Sequence, residues 1–375
     1  MNCYSHLNIT RMKNLILLLN TKHKQIITSI ILIISSLILS GCYSYNRPIL
    51  ASTTSLNKLS VTKIFADSNG DYYPSNWREE LNTDKVDSKL YLSYRDVGKL
   101  NELDDFKDEF LKDFKDKIRS KKNIYILIHG YNNNELVANK AYNEILSNIN
   151  INVDKDEIVE LYWDGLTGSG VGSAKIWFNA TGYSQMVGVF ALRPLLNEIN
   201  NKNIFLISHS RGASVVLSSM SDPAWDDDFY RDTAQMLGSR FIETKPLEQN
   251  NNIISSIMLA PAIGNIDFYK QKREDGYPTN LANYRNLNTQ LNNIYLTTNR
   301  SDNILKKGFK FLAMKFNPTN LGFDADGIEY LEKFYDKISF KKINFSKEKH
   351  GHNFLSYIKN KEFKTMIENA GIPVN

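Results

Sequence analysis

A serine in a predicted tight turn is the residue best suited to chemistry in this sequence. The apolar run at residues 204–207 predicts a buried strand, Ser-His-Ser-Arg-Gly follows at residues 208–212, and a helical pattern begins directly afterwards. A strand, turn and helix in this order hold the middle serine, Ser210, with its hydroxyl above the edge of a sheet, as a nucleophile requires. Gly212 is one of the small residues that the close approach of strand and helix demands. The backbone N–H of Arg211 would face the same point and could stabilise an oxyanion.

A second polar turn follows an earlier predicted strand. The apolar run at residues 124–128 ends in His-Gly-Tyr-Asn-Asn-Asn at residues 129–134, before a helical pattern. In hydrolases with a nucleophile turn of this kind, a backbone N–H from such a segment, here Gly130 or Tyr131, completes the oxyanion hole. The glycine lets the backbone approach the reacting carbonyl closely. We interpret His129 as a residue that organises this loop rather than as a catalytic group.

These two turns, with a third motif, resemble a little-characterised bacterial α/β-hydrolase family. The third motif is Tyr-Trp-Asp-Gly at residues 162–165, where another apolar run ends. The family is marked by a His-Gly-Tyr-Asn turn and a His-Ser-x-Gly elbow. The resemblance covers residues 120–360 approximately and implies a serine-hydrolase fold, but it does not imply a substrate.

The general base is expected near the end of the chain, because this fold orders its residues as serine, acid and histidine. Histidine is suited to the role because its ordinary pKa lies near neutrality. Two histidines follow the serine, His350 and His352. Gly-His followed by Asn-Phe-Leu, a pattern similar to that family's, favours His352 and leaves His350 as the alternative. The histidines are too few for a metal site, and neither a metal nor an organic cofactor is implied.

The acid that orients the histidine is expected just after a strand beyond the serine. Asp302 lies just beyond residues 294–298, on the turn after the penultimate predicted strand, which is the usual place in this fold. There it would fix the imidazole tautomer and stabilise the imidazolium. Asp267 follows the preceding predicted strand and is the alternative. Either aspartate could instead cap a helix.

The elements that must position these residues alternate along the chain. The apolar runs are rich in Ile, Leu, Phe and Tyr and lack polar alternation, as expected of parallel strands buried on both faces. Predicted strands span residues 124–128, 158–163, 204–207, 254–259, 294–296 and 343–345, with weaker candidates at 60–65 and 90–94; helical patterns span 103–118, 135–149, 185–199 and 354–369. The alternation predicts an α/β-hydrolase fold, with a mostly parallel central sheet and helices on both faces. The long connections at 222–252 and 306–338 could form a small lid or cap.

The first forty residues predict an export signal. Lys22 and Lys24 precede an apolar run at residues 26–39, which is short for a membrane span but suits the core of a signal peptide. The run ends in Leu-Ser-Gly-Cys at residues 39–42, which resembles the lipobox of bacterial lipoproteins. The resemblance implies that Cys42 becomes the lipidated first residue. The alternative is a plain transmembrane anchor.

This pattern divides the chain into a signal peptide at residues 1–41, a polar tether at 42–58 and one α/β-hydrolase domain at 59–375. Lipidation of Cys42 would anchor the protein to a membrane of the cell envelope. Tyr43 rather than Asp follows the cysteine, which favours the outer membrane in a Gram-negative cell. The absence of cysteine after Cys42 suits an oxidising compartment.

The charge of the chain argues against a nucleic-acid partner. The sequence has 46 Lys and Arg against 41 Asp and Glu, but four of the basic residues and none of the acidic ones lie in residues 1–41. The remaining body is therefore nearly neutral. Binding to a phosphate backbone requires a substantial positive surface, which this composition does not supply.

Together these residues predict acyl transfer from a carboxylic ester. Ser210 would attack the carbonyl with His352 as base and Asp302 orienting it, and water would resolve the acyl-enzyme. The expected substrate is an ester-containing small molecule or lipid, because a lipid anchor would bring membrane or envelope esters within reach. One alternative is a non-catalytic surface lipoprotein that uses a hydrolase scaffold for binding. Another is a serine acyltransferase, whose sequence would look the same.

Overall fold

The computed structural model describes residues 43–44, 54–56, 61–83, 89–165, 167–168, 180–221, 245–269, 284–307, 318–348 and 351–375. The predicted signal peptide, Cys42 and His350 lie outside the described residues, as do residues 222–244 and 308–317 of the predicted lid segments. No helix within the described ranges combines the length and the apolarity that crossing a bilayer requires.

A largely parallel sheet forms the centre of the described structure and confirms the predicted fold class. The strands are β1 (Tyr43–Ser44), β2 (Ser55–Leu56), β3 (Val61–Ala66), β4 (Asn123–Ile128), β5 (Asp156–Trp163), β6 (Thr167–Gly168), β7 (Asn203–His209), β8 (Ile253–Leu259), β9 (Leu291–Thr298) and β10 (Ser339–Asn344). Eight of these described strands form the sheet in the order β10-β9-β8-β7-β4-β5-β3-β2. All pair in parallel except β2, which runs antiparallel at the edge, and β1 and β6 pair separately.

The central strands are apolar on both faces because helices cover both faces. In β4, Ile124, Ile126 and Ile128 pack into one hydrophobic core, whereas Tyr125 and Leu127 pack into the other. Successive side chains of a strand point to opposite faces, so this alternation assigns one core to each side of the sheet. Each fully buried Ile or Leu side chain stabilises the fold by roughly 1.5–3 kcal/mol.

Helices from both halves of the chain supply these covers. They are α1 (Trp77–Leu81), α2 (Leu90–Asp96), α3 (Leu100–Lys117), α4 (Glu135–Ser147), α5 (Arg193–Asn197), α6 (Gly212–Met220), α7 (Asn303–Lys306), α8 (Asn320–Phe323), α9 (Ile328–Phe334), α10 (Phe354–Ile358) and α11 (Lys361–Asn369). Residues 180–187 are also helical and continue into a π-helical turn at Gly188–Leu192. Pro194 at the start of α5 lacks the N–H that a continuous helix would need, and Lys107 donates to the carbonyl of Phe190 instead.

The weak strand prediction at residues 90–94 is wrong, because this segment begins α2. Leu90 and Tyr94 are both buried, and their spacing of four residues places them on one helical face. The carboxylate of Asp67, which lies just after β3, accepts a hydrogen bond of 2.8 Å from the Leu90 N–H. Asp67 thus accepts from one of the backbone N–H groups that have no hydrogen-bond partner within the first turn of the helix.

The long helix predicted at residues 354–369 divides into α10 and α11 at Asn360. The side chain of Asn360 accepts a hydrogen bond from the Glu362 N–H, so it caps the second helix. This break keeps α10 short and leaves it directly after residues 351–353, close to the edge of the sheet where the site lies.

The carboxyl ends of the parallel strands meet at one edge of the sheet. The turn at residues 129–134 follows β4, Asp164 follows β5, Ser210 follows β7 and Asp302 lies shortly after β9. Ligand sites in open α/β sheets lie at this edge, so the fold gathers the predicted site residues there from distant parts of the chain.

Candidate active site

Ser210 occupies a strained turn between β7 and α6. Its φ angle is +54°, in the left-handed region that residues other than glycine rarely adopt. The turn is held by hydrogen bonds from the Ser210 N–H to the Leu259 carbonyl (2.9 Å) and from the Ala262 N–H to the Ser210 carbonyl (3.2 Å). These bonds, to the last residue of β8 and to the loop after it, fix the serine in a conformation that local sequence alone would disfavour.

Two glycines permit the packing around this turn. A Cβ atom at Gly130 would lie 2.6 Å from the Cβ of Ser210, and one at Gly212 would lie 2.8 Å from the carbonyl oxygens of Ile128 and His129. Both distances are shorter than van der Waals contact allows. The backbone of the 129–134 turn at Gly130 therefore lies directly against Ser210.

The structure brings His352 between Ser210 and Asp302. Its Nε2 lies 2.8 Å from Ser210 Oγ, and its Nδ1 lies 2.8 Å from Asp302 Oδ2. A carboxylate can only accept, so Nδ1 carries the proton and Nε2 presents its lone pair to the serine hydroxyl. The imidazole is thus arranged to take a proton from Ser210.

Asp302 is fully buried and accepts four hydrogen bonds. Oδ1 accepts from the backbone N–H groups of Ile304 (3.0 Å) and Leu305 (3.1 Å) and so caps α7, while Oδ2 accepts from His352 and from the Tyr357 hydroxyl, each at 2.8 Å. Burial alone would raise the pKa of Asp302, but these donors outweigh it and the net shift is downward. The helix cap considered from the sequence and the contact with histidine are therefore made by the same side chain.

Asp267, the alternative acid, does not reach the histidine. Its carboxylate lies 3.3 Å from Arg211 Nη2 in a buried ion pair and accepts from the Gly264 N–H at 2.8 Å. Arg211 also donates through Nη1 to the Ala262 carbonyl at 2.8 Å. The ion pair of Asp267 with the Arg211 side chain therefore links the turn at Ser210 to the loop after β8.

The remaining predicted residues have distinct places. The backbone N–H of Arg211 stands at the N-terminus of α6, where the first donors of a helix have no partner within it. Tyr131 is half-buried beside Gly130. His350, the alternative base, and Cys42 lie outside the described residues.

His129 fastens the 129–134 turn to the end of β5. Its Nε2 accepts from the Trp163 N–H at 3.0 Å, its Nδ1 donates to the Gly130 carbonyl at 2.7 Å, and its own carbonyl accepts from Trp163 Nε1 at 2.7 Å. Burial lowers the pKa of His129 to about 4, so the ring stays neutral. Both hydrogen bonds of this ring hold the loop, which agrees with the interpretation of His129 as a loop-organising residue.

Three residues around the site were missed from the sequence. The Tyr357 hydroxyl reaches Asp302, Asn299 donates to that hydroxyl at 3.0 Å, and the buried ring of His209 lies 5.1 Å from the ring of His352. Burial lowers the pKa of His209 well below its ordinary value, and the neighbouring His352 adds to the effect. His209 was visible in the elbow motif, but no local pattern marks Tyr357 or Asn299.

Among the described residues, no group of three or more His, Cys, Asp or Glu side chains is placed to hold a metal ion.

The sequence model of an α/β-hydrolase family of unknown function, DUF900, matches residues 106–310. The chain belongs to this family. The match to the DUF900 hydrolases contains Gly130, Ser210 and Asp302, whereas His352 lies beyond its end. No curated protein matches the chain.

Proposed function

We propose that this hydrolase is a serine esterase in which Ser210, His352 and Asp302 form the catalytic triad. The observation that carries the proposal is the continuous hydrogen-bonded path from Ser210 Oγ through the imidazole to Asp302 Oδ2, with both contacts at 2.8 Å. A nucleophile within reach of a base that a third group orients is the arrangement that covalent catalysis requires.

In the first half of the proposed reaction, Ser210 Oγ attacks the carbonyl carbon of an ester while its proton passes to His352 Nε2. Asp302 holds the imidazole in the required tautomer and stabilises the imidazolium that forms. When the tetrahedral intermediate collapses, the C–O bond to the leaving alcohol breaks and the imidazolium returns the proton to that oxygen. The acyl group remains on Ser210.

In the second half, His352 removes a proton from water, and the hydroxide oxygen attacks the acyl carbonyl. The second tetrahedral intermediate releases a carboxylic acid, and Ser210 Oγ regains its proton.

No metal or organic cofactor takes part in the proposed reaction. The backbone N–H of Arg211, with that of Gly130 or Tyr131, stabilises the oxyanion in both intermediates. Loss of one such donor typically reduces the rate by about 100-fold or more.

The proposed substrate class is carboxylic esters, either small molecules or lipids. We also propose that Cys42 is lipidated and holds the enzyme in the cell envelope, which would place membrane esters within its reach. The apolar run, the lipobox-like segment and the polar stretch after it support this location.

A panel of p-nitrophenyl esters of increasing acyl length tests the proposal with the full-length protein. We expect hydrolysis by the wild type and none above background by Ser210→Ala. Product analysis with added alcohols would distinguish water from an alcohol as the acyl acceptor. A folded wild type that hydrolyses no ester in the panel would contradict the proposed activity.

A further inference from the structure

The two oxygens of the Asp302 carboxylate accept hydrogen bonds from different kinds of donor, one from the backbone and the other from side chains. Oδ1 is held by two backbone N–H groups at the start of α7. Oδ2, the oxygen that faces the imidazole, is shared between His352 and Tyr357. Tyr357 is thus the one described group other than the histidine that holds this oxygen in place.

The direction of the Tyr357 hydrogen bond follows from its neighbours. The Ser301 N–H can only donate, and it lies 3.0 Å from Asn299 Oδ1, so the amide nitrogen of Asn299 must face Tyr357. This nitrogen donates to the Tyr357 hydroxyl oxygen at 3.0 Å. The hydroxyl proton is then directed to Asp302 Oδ2, and the chain of donors runs one way from Ser301 to the carboxylate.

The ring of Tyr357 is well placed to hold this bond. It is completely buried and stacks on Phe345 with the ring centroids 5.7 Å apart. Tyr357 lies on α10, whose N-cap, Asn353, directly follows His352. The short helix therefore fixes the backbone next to the base and, through the tyrosine, the carboxylate that orients the base.

We propose that Tyr357 is a positioning residue of the triad: its hydroxyl fixes Asp302 Oδ2 and thereby the orientation of His352. The inference rests on the proposed function and extends it to a residue outside the triad. Without the hydroxyl, Oδ2 keeps its bond to the imidazole but loses the donor that restrains its position. Charge-assisted bonds of this kind are among the stronger ones in proteins, so the loss should be measurable in the rate.

The test compares Tyr357→Phe with Tyr72→Phe in the full-length protein. Tyr72 is an equally buried tyrosine whose hydroxyl donates to the Ala191 carbonyl at 2.7 Å, away from the triad. We expect the second-order rate of labelling by a fluorophosphonate to fall about tenfold in Tyr357→Phe and to stay near the wild-type rate in Tyr72→Phe. The acidic limb of the pH–rate profile should move to higher pH only in Tyr357→Phe, because the carboxylate loses a donor that favours its charged form.

A second measurement does not depend on turnover. The His352 Nδ1 proton in its bond to Asp302 should give a downfield proton resonance, assigned by its loss in His352→Gln, and this resonance should shift in Tyr357→Phe but not in Tyr72→Phe. An unchanged resonance, rate and pH profile in Tyr357→Phe would overturn the inference while the esterase proposal stands. A wild type that does not label would overturn the proposed function instead.

Discussion

Asp302 and Asp267 show how two aspartates with similar sequence settings acquire different tasks. Each follows a parallel strand by a short turn, yet Asp302 meets His352 whereas Asp267 meets the guanidinium of Arg211. The difference is made by partners 50 and 56 residues away in the chain, respectively. Local sequence therefore predicts both candidates, and only the tertiary contacts distinguish them.

Asp302→Asn should separate the two roles. The neutral amide cannot stabilise an imidazolium as a carboxylate does, so we expect esterase activity to fall by about 10⁴-fold. Asp267→Asn should instead lower the free energy of unfolding by about 3 kcal/mol, because it leaves Arg211 buried without its counter-charge. The activity of the folded Asp267→Asn protein should remain within about tenfold of wild type. Comparable losses of activity in both variants would contradict this assignment.

His209 makes stability depend on pH. Burial keeps the pKa of the folded side chain well below that of the unfolded one, so below the unfolded pKa the unfolded chain binds more protons and stability is lost. Between pH 6.5 and 5.5 the loss due to His209 should be about 1 kcal/mol. The His209 ring stacks on that of Phe354 with the centroids 4.5 Å apart. His209→Phe keeps a ring at this place, and its stability to urea should decline less steeply as the pH falls. Equal pH slopes for the two proteins would argue against a neutral, buried His209.

At the scale of elements, periodicity predicts the sheet well because its central strands are buried on both faces. All residues of β5 are buried, its segment from Ile158 to Trp163 is apolar except for Glu160, and its bounds are nearly those expected from the sequence. The edge strand β10 is exposed except for the half-buried Phe340 and Ile343, and it is recognised from the sequence only near Ile343. The error at α2 has a related cause, because the contact between Asp67 and Leu90 that helps to begin this helix is invisible locally.

Some parts of the site are predictable from the same kind of pattern, and others are not. The turn at Ser210 and the 129–134 turn can be recognised from the sequence because close backbone packing at Gly130 and Gly212 restricts which residues can stand there. The Tyr357 side chain reaches Asp302, and that of Asn299 reaches Tyr357, through contacts between α10 and the turn after β9 that leave no local composition signal.

The two turns must approach closely for the site to form, which makes Gly130 sensitive to added volume. Gly130→Ala would place a methyl group 2.6 Å from the Ser210 Cβ and displace the proposed oxyanion-hole segment. We expect esterase activity to fall at least about 100-fold. Gly351→Ala is the matched control beside His352, because a Cβ there would meet no described atom within 4 Å. Activity of Gly130→Ala close to that of Gly351→Ala would show that the turn is not part of the site.

The whole molecule unites residues that are far apart in the chain. Ser210 and His352 are 142 residues apart in sequence, and the parallel sheet brings both to its carboxyl edge. The site draws on the turns after β4, β7 and β9 and on the segment after β10, so no single segment could form it. The N-terminal segment contributes the proposed lipid anchor at Cys42 and none of the proposed site residues.

Cys42→Ser tests that location. In bacteria that process lipoproteins, the wild type should incorporate a radiolabelled fatty acid and sediment with membranes. The serine variant should incorporate none, because the proposed acceptor thiol is absent. Incorporation of label by Cys42→Ser at the wild-type level would place the modification on another residue. Lack of label in the wild type would contradict the proposed lipid anchor.

The most direct test of the triad is labelling of the full-length protein with a fluorophosphonate, followed by mapping of the modified residue. This reagent reacts with serine hydroxyls that a neighbouring base activates, without any assumption about the substrate. We predict a single modified serine at Ser210, with labelling lost in Ser210→Ala and strongly reduced in His352→Gln. Failure of the folded wild type to label, or labelling that persists in Ser210→Ala, would contradict an activated nucleophile at this turn.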